Sequence, residues 1–311
     1  MRDRLPRYAA DVPSGAQGCA AEGFGVGYMR RFMVAAAAVF VVGGGLAACS
    51  SSTTSSGASG ASCSKSGIQH LLHKPGALTV ATDTPAYTPW FVNNSPSNGK
   101  GYESAVAYAI AHQLGFANSQ VAWVHEPFTS AVGPGPKPFD FDINEASYTP
   151  QRATVVTFSN SYYPVQQAIV ALKGTPIVNK HSPAQLKTYL YGDQIGTTGL
   201  TYINSDIQPT QQPRVFNTLA EAAASLQAHR IDALVTDTPT AQYMASAQMK
   251  GAVLVAQFPS VGEHYGLVFT KGNALVTCVN KAIATLTSNG TLAALQKKYL
   301  SIFLVFPTIK P

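Results

Sequence analysis

The sequence predicts an α/β protein of two lobes, each a mainly parallel sheet flanked by helices. Three observations predict it. Short apolar runs alternate with amphipathic stretches, the pattern of strands separated by helices. Apolar residues make up 46% and charged residues only 12%, which excludes a disordered chain or a coiled coil. The globule from residue 67 onward, about 245 residues, suits two units of ordinary domain size.

The elements follow in order. Ala77-Leu78-Thr79-Val80-Ala81 reads as a strand, followed by a loop rich in Pro, Tyr and Asp. Over residues 102–114, Tyr102, Ala105, Val106, Ala109, Ile110 and Leu114 fall at helical spacing and predict one buried stripe. Val121–Val124 and Phe139–Ile143 are short strands. Thr149 followed by Pro150 is a helix cap with proline at the first helical position. Val165–Leu172 is extended. Thr218 and Glu221 form a capping box that opens a helix to about His229, and Ile231–Val235 returns as a strand. Leu275, Cys278, Val279, Ala282, Ile283 and Leu286 mark a helix that closes near Asn289-Gly290, and a last helix runs from Leu292 to about Leu300. No internal repeat is evident.

The N-terminal stretch carries an export signal. Arg30-Arg31 precede the apolar run Phe32–Gly45, and small residues follow. The run is well short of the roughly 20 residues that span a bilayer. Leu46-Ala47-Ala48-Cys49 resembles a bacterial lipobox, in which the cysteine is lipidated and begins the mature chain; an ordinary signal with a chance cysteine is the alternative. A signal of ordinary length starts at Met29, so residues 1–48 divide into an upstream extension and a signal at 29–48. Residues 49–66, rich in Ser, Gly and Ala, read as a flexible tether. The first 48 residues hold five of the 21 basic and three of the 15 acidic residues, so the remainder carries a net charge of +4. No dense basic run occurs, which argues against nucleic acid as a partner. An exported chain permits disulfides. With Cys19 lost and Cys49 lipidated, Cys63 and Cys278 are the pair left to bridge; two free thiols are the alternative.

Enzyme signatures are missing. There is no P-loop, no dinucleotide fingerprint after a strand, no G-x-S-x-G elbow and no H-E-x-x-H. No C-x-x-C pair and no clustered histidines suggest a metal, and no cofactor is implied. What remains are polar residues at strand ends and helix starts, where open α/β sheets bind ligands and helices offer unpaired N–H groups. Asn144-Glu145-Ala146-Ser147 leads into the helix that carries Arg152, whose planar fork can grip a carboxylate; a capped surface helix is the plain alternative. Gly192–Thr198 offers backbone access and two hydroxyls, or is a simple turn. Asp237 stands at a strand end as a cap or a counter-ion. Tyr87, Trp90 and Phe91 either wall a ligand or pack in the core.

The motifs stand in a telling order. Thr82-Asp83-Thr84-Pro85-Ala86-Tyr87-Thr88-Pro89-Trp90-Phe91 follows the first strand, then Gly101-Tyr102-Glu103-Ser104. Phe141-Asp142-Ile143-Asn144 runs through to Thr149-Pro150-Gln151-Arg152, with Phe158-Ser159 and Tyr162 after it. Next come Gly196-Thr197-Thr198, then Arg230-Ile231-Asp232-Ala233 up to Asp237, and finally Gly290-Thr291 through Leu295, Lys298 and Tyr299. Over roughly residues 67–300 this series resembles the polar amino-acid substrate-binding proteins of ABC importers, which have the type II periplasmic-binding-protein fold.

The resemblance implies roles. Arg152 binds the ligand α-carboxylate with Thr198 and backbone N–H groups near Ser147 and Thr197. Asp237 pairs with the α-ammonium, and Tyr87 walls the side chain. Asp83, Asn144 and Glu145 lie near the side-chain pocket, where Asp83 and Glu145 favour a cationic or amide group. Trp90 and Phe91 instead favour an aromatic or sulfur-containing one. Family topology implies a first lobe of residues 67–166 and 266–311, a second of 167–265, and a hinge of two strands near Val165–Val170 and Val261–Leu267. Both Cys63 and Cys278 then belong with the first lobe, and a bridge leaves closure free. Two departures stand out: Ser104-Ala105-Val106-Ala107 lacks the family's helix Asp, and His229-Arg230 replaces its Gly. The implied protein is a monomeric, lipid-anchored, extracytoplasmic receptor that delivers a free amino acid to permease and ATPase subunits. It is not an enzyme; the alternatives are a dehydratase on the same fold, with Glu145 the nearest candidate for catalysis, and a ligand sensor.

Overall fold

The computed structural model describes residues 62–301 and 307–309. The signal, Cys49 and most of the tether lie outside the described residues.

The chain begins with β1 (Leu78–Thr82), α1 (Tyr102–Gln113), β2 (Val121–His125), α2 (Phe128–Val132), β3 (Phe141–Asp142), α3 (Pro150–Ala153) and β4 (Val156–Pro164). It then crosses to β5 (Gln167–Leu172), α4 (Pro183–Leu186), β6 (Gly192–Gln194), α5 (Thr198–Tyr202), β7 (Arg214–Phe216), α6 (Leu219–Gln227), β8 (Ala233–Asp237), α7 (Thr238–Tyr243) and β9 (Ala252–Gln257). It returns through β10 (His264–Thr270), α8 (Leu275–Ser288) and α9 (Thr291–Tyr299). The first lobe holds one sheet in the order β2-β1-β3-β10-β4. The second holds β8-β5-β9 and the pair β6-β7, linked by a parallel bridge from Tyr191 to Ala233. Pairing is parallel at β1–β2, β1–β3 and β6–β7, as strands joined through helices require. It is antiparallel wherever β5 or β10 takes part, so both lobes are mixed sheets.

Sequence pattern accounts for the packing. On α8 the predicted residues Leu275, Cys278, Val279, Ala282, Ile283 and Leu286 are the buried face. In β5, Ala168, Val170 and Leu172 enter one core cluster and Ile169 and Ala171 another, the period-two split of a strand covered on both faces. Thr149 caps α3 and Thr218 with Glu221 caps α6, as the sequence predicts. Phe141 and Phe269 anchor the first-lobe core, each worth ~1.5–3 kcal/mol of burial. Gly101 is obligatory before α1. Its φ is +104°, and a Cβ there would lie 2.2 Å from the Trp90 carbonyl oxygen. A disulfide joins Cys63 to Cys278 on α8, with Cα atoms 5.2 Å apart.

Two chain crossings connect the lobes, between β4 and β5 and between β9 and β10. They are tied by the Val165 N–H, which donates to the Glu263 carbonyl at 3.0 Å. The expected boundary 266–311 needs one correction. Pro307–Ile309 pairs with Gln257 of β9, and Ile309 is buried among second-lobe residues. Backbone pairing with an open strand edge draws the chain end across. The strand expected over Phe139–Ile143 shrinks to two residues, because Asp140 turns away to accept the N–H groups of His73 and Thr79, both at 2.6 Å.

Candidate functional site

A cavity lies between the lobes where strand ends meet helix starts. The first lobe supplies Asp83 after β1, Asn144 and Glu145 after β3, Arg152 on α3, and the rings of Tyr87 and Phe128. The second supplies Asp193 and Gln194 of β6, Thr197 and Thr198 at the start of α5, Gln167 of β5, and Asp237 at the end of β8.

Arg152 is held from several sides. The Thr149 hydroxyl accepts its backbone N–H at 3.1 Å. Its guanidinium donates to the Ser147 carbonyl at 2.6 Å and, across the cavity, to the Gly196 carbonyl at 2.7 Å. It lies 5.1 Å from the centre of the Phe128 ring, a cation–π distance. Burial lowers its pKa to about 10, with Glu263 and Asp237 acting in the opposite sense.

Facing it, Asp237 accepts the Gln167 side-chain amide at 2.6 Å. The same amide nitrogen reaches Glu263 at 3.1 Å and Thr198 at 3.2 Å. Burial, then the charge of Glu263, raises the Asp237 pKa above the ordinary carboxylate range. Glu145 is also raised, by burial first and by Glu103 and Asp237 after it. Its backbone is left-handed, with φ +52°, an uncommon state for a side-chain-bearing residue. The Glu145 N–H donates to buried Glu103 at 2.8 Å, and Glu103 also accepts the Tyr162 hydroxyl. That anchoring holds the Glu145 side chain toward the cavity.

Three further hydrogen bonds join the lobes. The Tyr87 hydroxyl accepts the Ala220 N–H at 3.1 Å. The Trp90 indole N–H donates to the Thr240 hydroxyl at 2.7 Å, and that hydroxyl donates to Glu145 at 2.9 Å.

Of the residues picked from sequence, Asp83, Tyr87, Asn144, Glu145, Arg152, Thr197, Thr198 and Asp237 line the cavity. Trp90 and Ser147 do not. Trp90 is a core residue, packed edge-on against Tyr102, Tyr163 and Tyr265 at centroid distances of 5.3–6.0 Å. Phe91 is buried against Trp123. Ser147 turns its hydroxyl to Glu263 at 2.6 Å and serves the site through its carbonyl, which positions Arg152. The sequence reading missed Phe128, Gln167, Asp193 and Gln194. A polar residue opening an otherwise apolar strand was the available signal for Gln167. Among the described residues, no group of three His, Cys, Asp or Glu side chains is arranged to hold a metal ion.

A family model described as bacterial extracellular solute-binding proteins, family 3, matches residues 78–302. The chain is similar to an arginine-binding periplasmic protein of Mannheimia haemolytica, 26% identical over 230 residues, which cover 72% of this chain and 92% of that protein. It is similar to a histidine-binding periplasmic protein of Salmonella typhimurium, 26% identical over 235 residues, covering 72% and 88%. Among solved structures, an ancestral arginine-binding protein bound to arginine superposes with a TM-score of 0.62 at 27% identity, covering 73% of this chain and 99% of that one.

Proposed function

The chain belongs to the bacterial extracellular solute-binding proteins, family 3, and from that premise we propose that its cavity holds a free polar amino acid, gripped at both ends by closure of the two lobes. The observation that carries this reading is the opposition of Arg152 on the first lobe and Asp237 on the second, both lining one cavity. A zwitterion needs one fixed cation and one fixed anion, and placing them on different lobes makes closure sense both ends. Arg152 takes the α-carboxylate through the N–H donors its carbonyl contacts leave over, with help from the Thr198 hydroxyl and the N–H groups at the start of α5. Asp237 takes the α-ammonium. Tyr87 walls the side chain, beside Asp83, Asn144 and Glu145. With Trp90 and Phe91 buried in the core, acidic rather than aromatic groups dominate the side-chain end, which supports a cationic or amide side chain.

The chain works outside the cytoplasm as the binding component of an amino-acid ABC importer and hands its ligand to the permease. The lipobox-like Leu46-Ala47-Ala48-Cys49 and the tether beyond it support anchoring through a lipid on Cys49. A thermal-shift screen of the globule against free amino acids, with polyamines and sugars as controls, tests the ligand. A ligand that binds only the folded state raises the melting temperature. One amino acid, or a small related group, is expected to do so; no shift with any amino acid overturns the reading.

A further inference from the structure

One acid in the cavity is left unexplained by the carboxylate and ammonium clamps. Asp193 lines the cavity from β6 and is 1% exposed. Its Oδ1 accepts the Gln194 N–H at 2.7 Å. Its Oδ2 is buried with no hydrogen-bond partner. Space for that oxygen depends on Gly199 in the first turn of α5. A Cβ there would lie 2.4 Å from Asp193 Oδ2 and 2.6 Å from the Val235 carbonyl oxygen. A carboxylate at 193 and a glycine at 199 are therefore one arrangement, and the pair keeps an unsatisfied, buried oxygen on a residue that lines the cavity.

Such an oxygen is costly. A buried acceptor without a partner forfeits its hydration, and a buried carboxylate without a counter-charge forfeits more. Burial raises the Asp193 pKa well above its ordinary value, and the charge acting on it, that of Asp237, has the same sign. Arg152, the cation lining this cavity, already donates to the carbonyls of Ser147 and Gly196. Among the acids of the lining, Asp83 has the His125 ring nitrogen at 3.2 Å, while Glu145, Asp193 and Asp237 share the one guanidinium of Arg152. A zwitterion with a neutral side chain brings no net charge to this surplus. An amino acid with a protonated side chain brings one positive charge and additional N–H donors.

We propose that Asp193 is a specificity-determining residue of this cavity, and that its partner is a second protonated nitrogen carried by the ligand, so that the amino acid bound has a basic side chain. This rests on the amino-acid reading above and deepens it. On this account the orphan oxygen is the ligand's acceptor, and Gly199 preserves it.

The test compares wild type with the near-isosteric Asp193→Asn variant. Affinities for arginine, lysine and glutamine are measured by calorimetry, and the melting temperature of each unliganded protein is recorded. Wild type should prefer arginine or lysine over glutamine. In the variant, the ratio of basic-ligand to glutamine affinity should fall at least about tenfold, the scale of one charge-assisted hydrogen bond. Its unliganded melting temperature should stay level or rise, because a buried acid with an unpartnered oxygen is gone. An unchanged ratio, or a uniform loss of affinity with a lower melting temperature, would assign Asp193 a structural role and overturn the proposal. Should the variant not fold, wild-type selectivity still decides: glutamine bound more tightly than both basic ligands overturns this inference alone. Wild type that binds no amino acid overturns the amino-acid reading itself.

Discussion

Replacing Arg152 with alanine probes the clamp directly. In the structure its guanidinium uses one N–H for the Ser147 carbonyl and one for the Gly196 carbonyl, at 2.6 and 2.7 Å. A guanidinium has five N–H donors, so three remain for a ligand carboxylate. Two charge-assisted bonds at ~1.5–3 kcal/mol each give ~3–6 kcal/mol. Loss of the Gly196 bond, also made by the charged guanidinium, removes a further ~1.5–3 kcal/mol from the closed arrangement. Against this stands the penalty of keeping a guanidinium buried, visible in its pKa lowered to about 10, which alanine removes. The balance leaves a loss of ~3–5 kcal/mol, or roughly 10²- to several-thousand-fold in Kd. Calorimetry on the ligand found in the thermal-shift screen measures it, and circular dichroism checks that the fold persists. Arg152→Lys keeps the charge but not the fork and should recover only part of the loss. A Kd for Arg152→Ala within about tenfold of wild type would refute the carboxylate-clamp assignment.

The cysteines make a second prediction: protein isolated oxidised from the membrane fraction carries a lipid mass on Cys49 and no titratable thiol, because Cys63 and Cys278 are joined. Two reactive thiols, or an unmodified Cys49, would count against the bridge or the anchor respectively. A third concerns pH. Glu103, Glu145, Asp193 and Asp237 are all raised above the ordinary carboxylate range, chiefly by burial. An acid with a higher pKa folded than unfolded stabilises the native state below its unfolded value of ~4, and that contribution drains away as pH rises toward the folded value. Unliganded protein should therefore melt at a higher temperature at pH 5 than at pH 8. A melting temperature that climbs across that interval contradicts the buried-acid picture.

The parts of the site that were legible in sequence are those set by local chemistry. Thr149 and Pro150 announce α3 and so fix where Arg152 starts, and Asp237 stands where β8 ends. Helix faces were equally local, down to each buried residue of α8. What sequence could not supply was the long-range partner. Trp90 looks like a ligand wall until Tyr163 and Tyr265 enclose it and Thr240, 150 residues away, takes its N–H. Asp193 lay within a segment picked out for its glycine and threonines. An acid in a three-residue strand carries no mark of its burial until Gly199 and Val235 close over it. The crossing of Pro307–Ile309 to β9 was unreadable for the same reason, since an open strand edge is a property of the assembled sheet.

Two opposed sets of forces meet in this cavity, and their balance explains why a ligand matters to it. Drawing the lobes together are the bonds from Tyr87 to Ala220, Trp90 to Thr240, Thr240 to Glu145, and Arg152 to Gly196. Neutral bonds of this kind contribute ~0.5–1.5 kcal/mol each, and those to charged groups ~1.5–3. Opposing them is the desolvation of Glu145, Asp193 and Asp237, each raised in pKa by burial and by the charge of a neighbouring acid. That desolvation offsets part of the bonding, and it grows as rising pH favours the charged form of the acids. A ligand that adds a carboxylate for Arg152 and cationic groups for the acids strengthens the first set and relieves the second. On the proposed reading, closure responds to the ligand's charge pattern more than to its bulk, because the site offers charged partners rather than apolar contact.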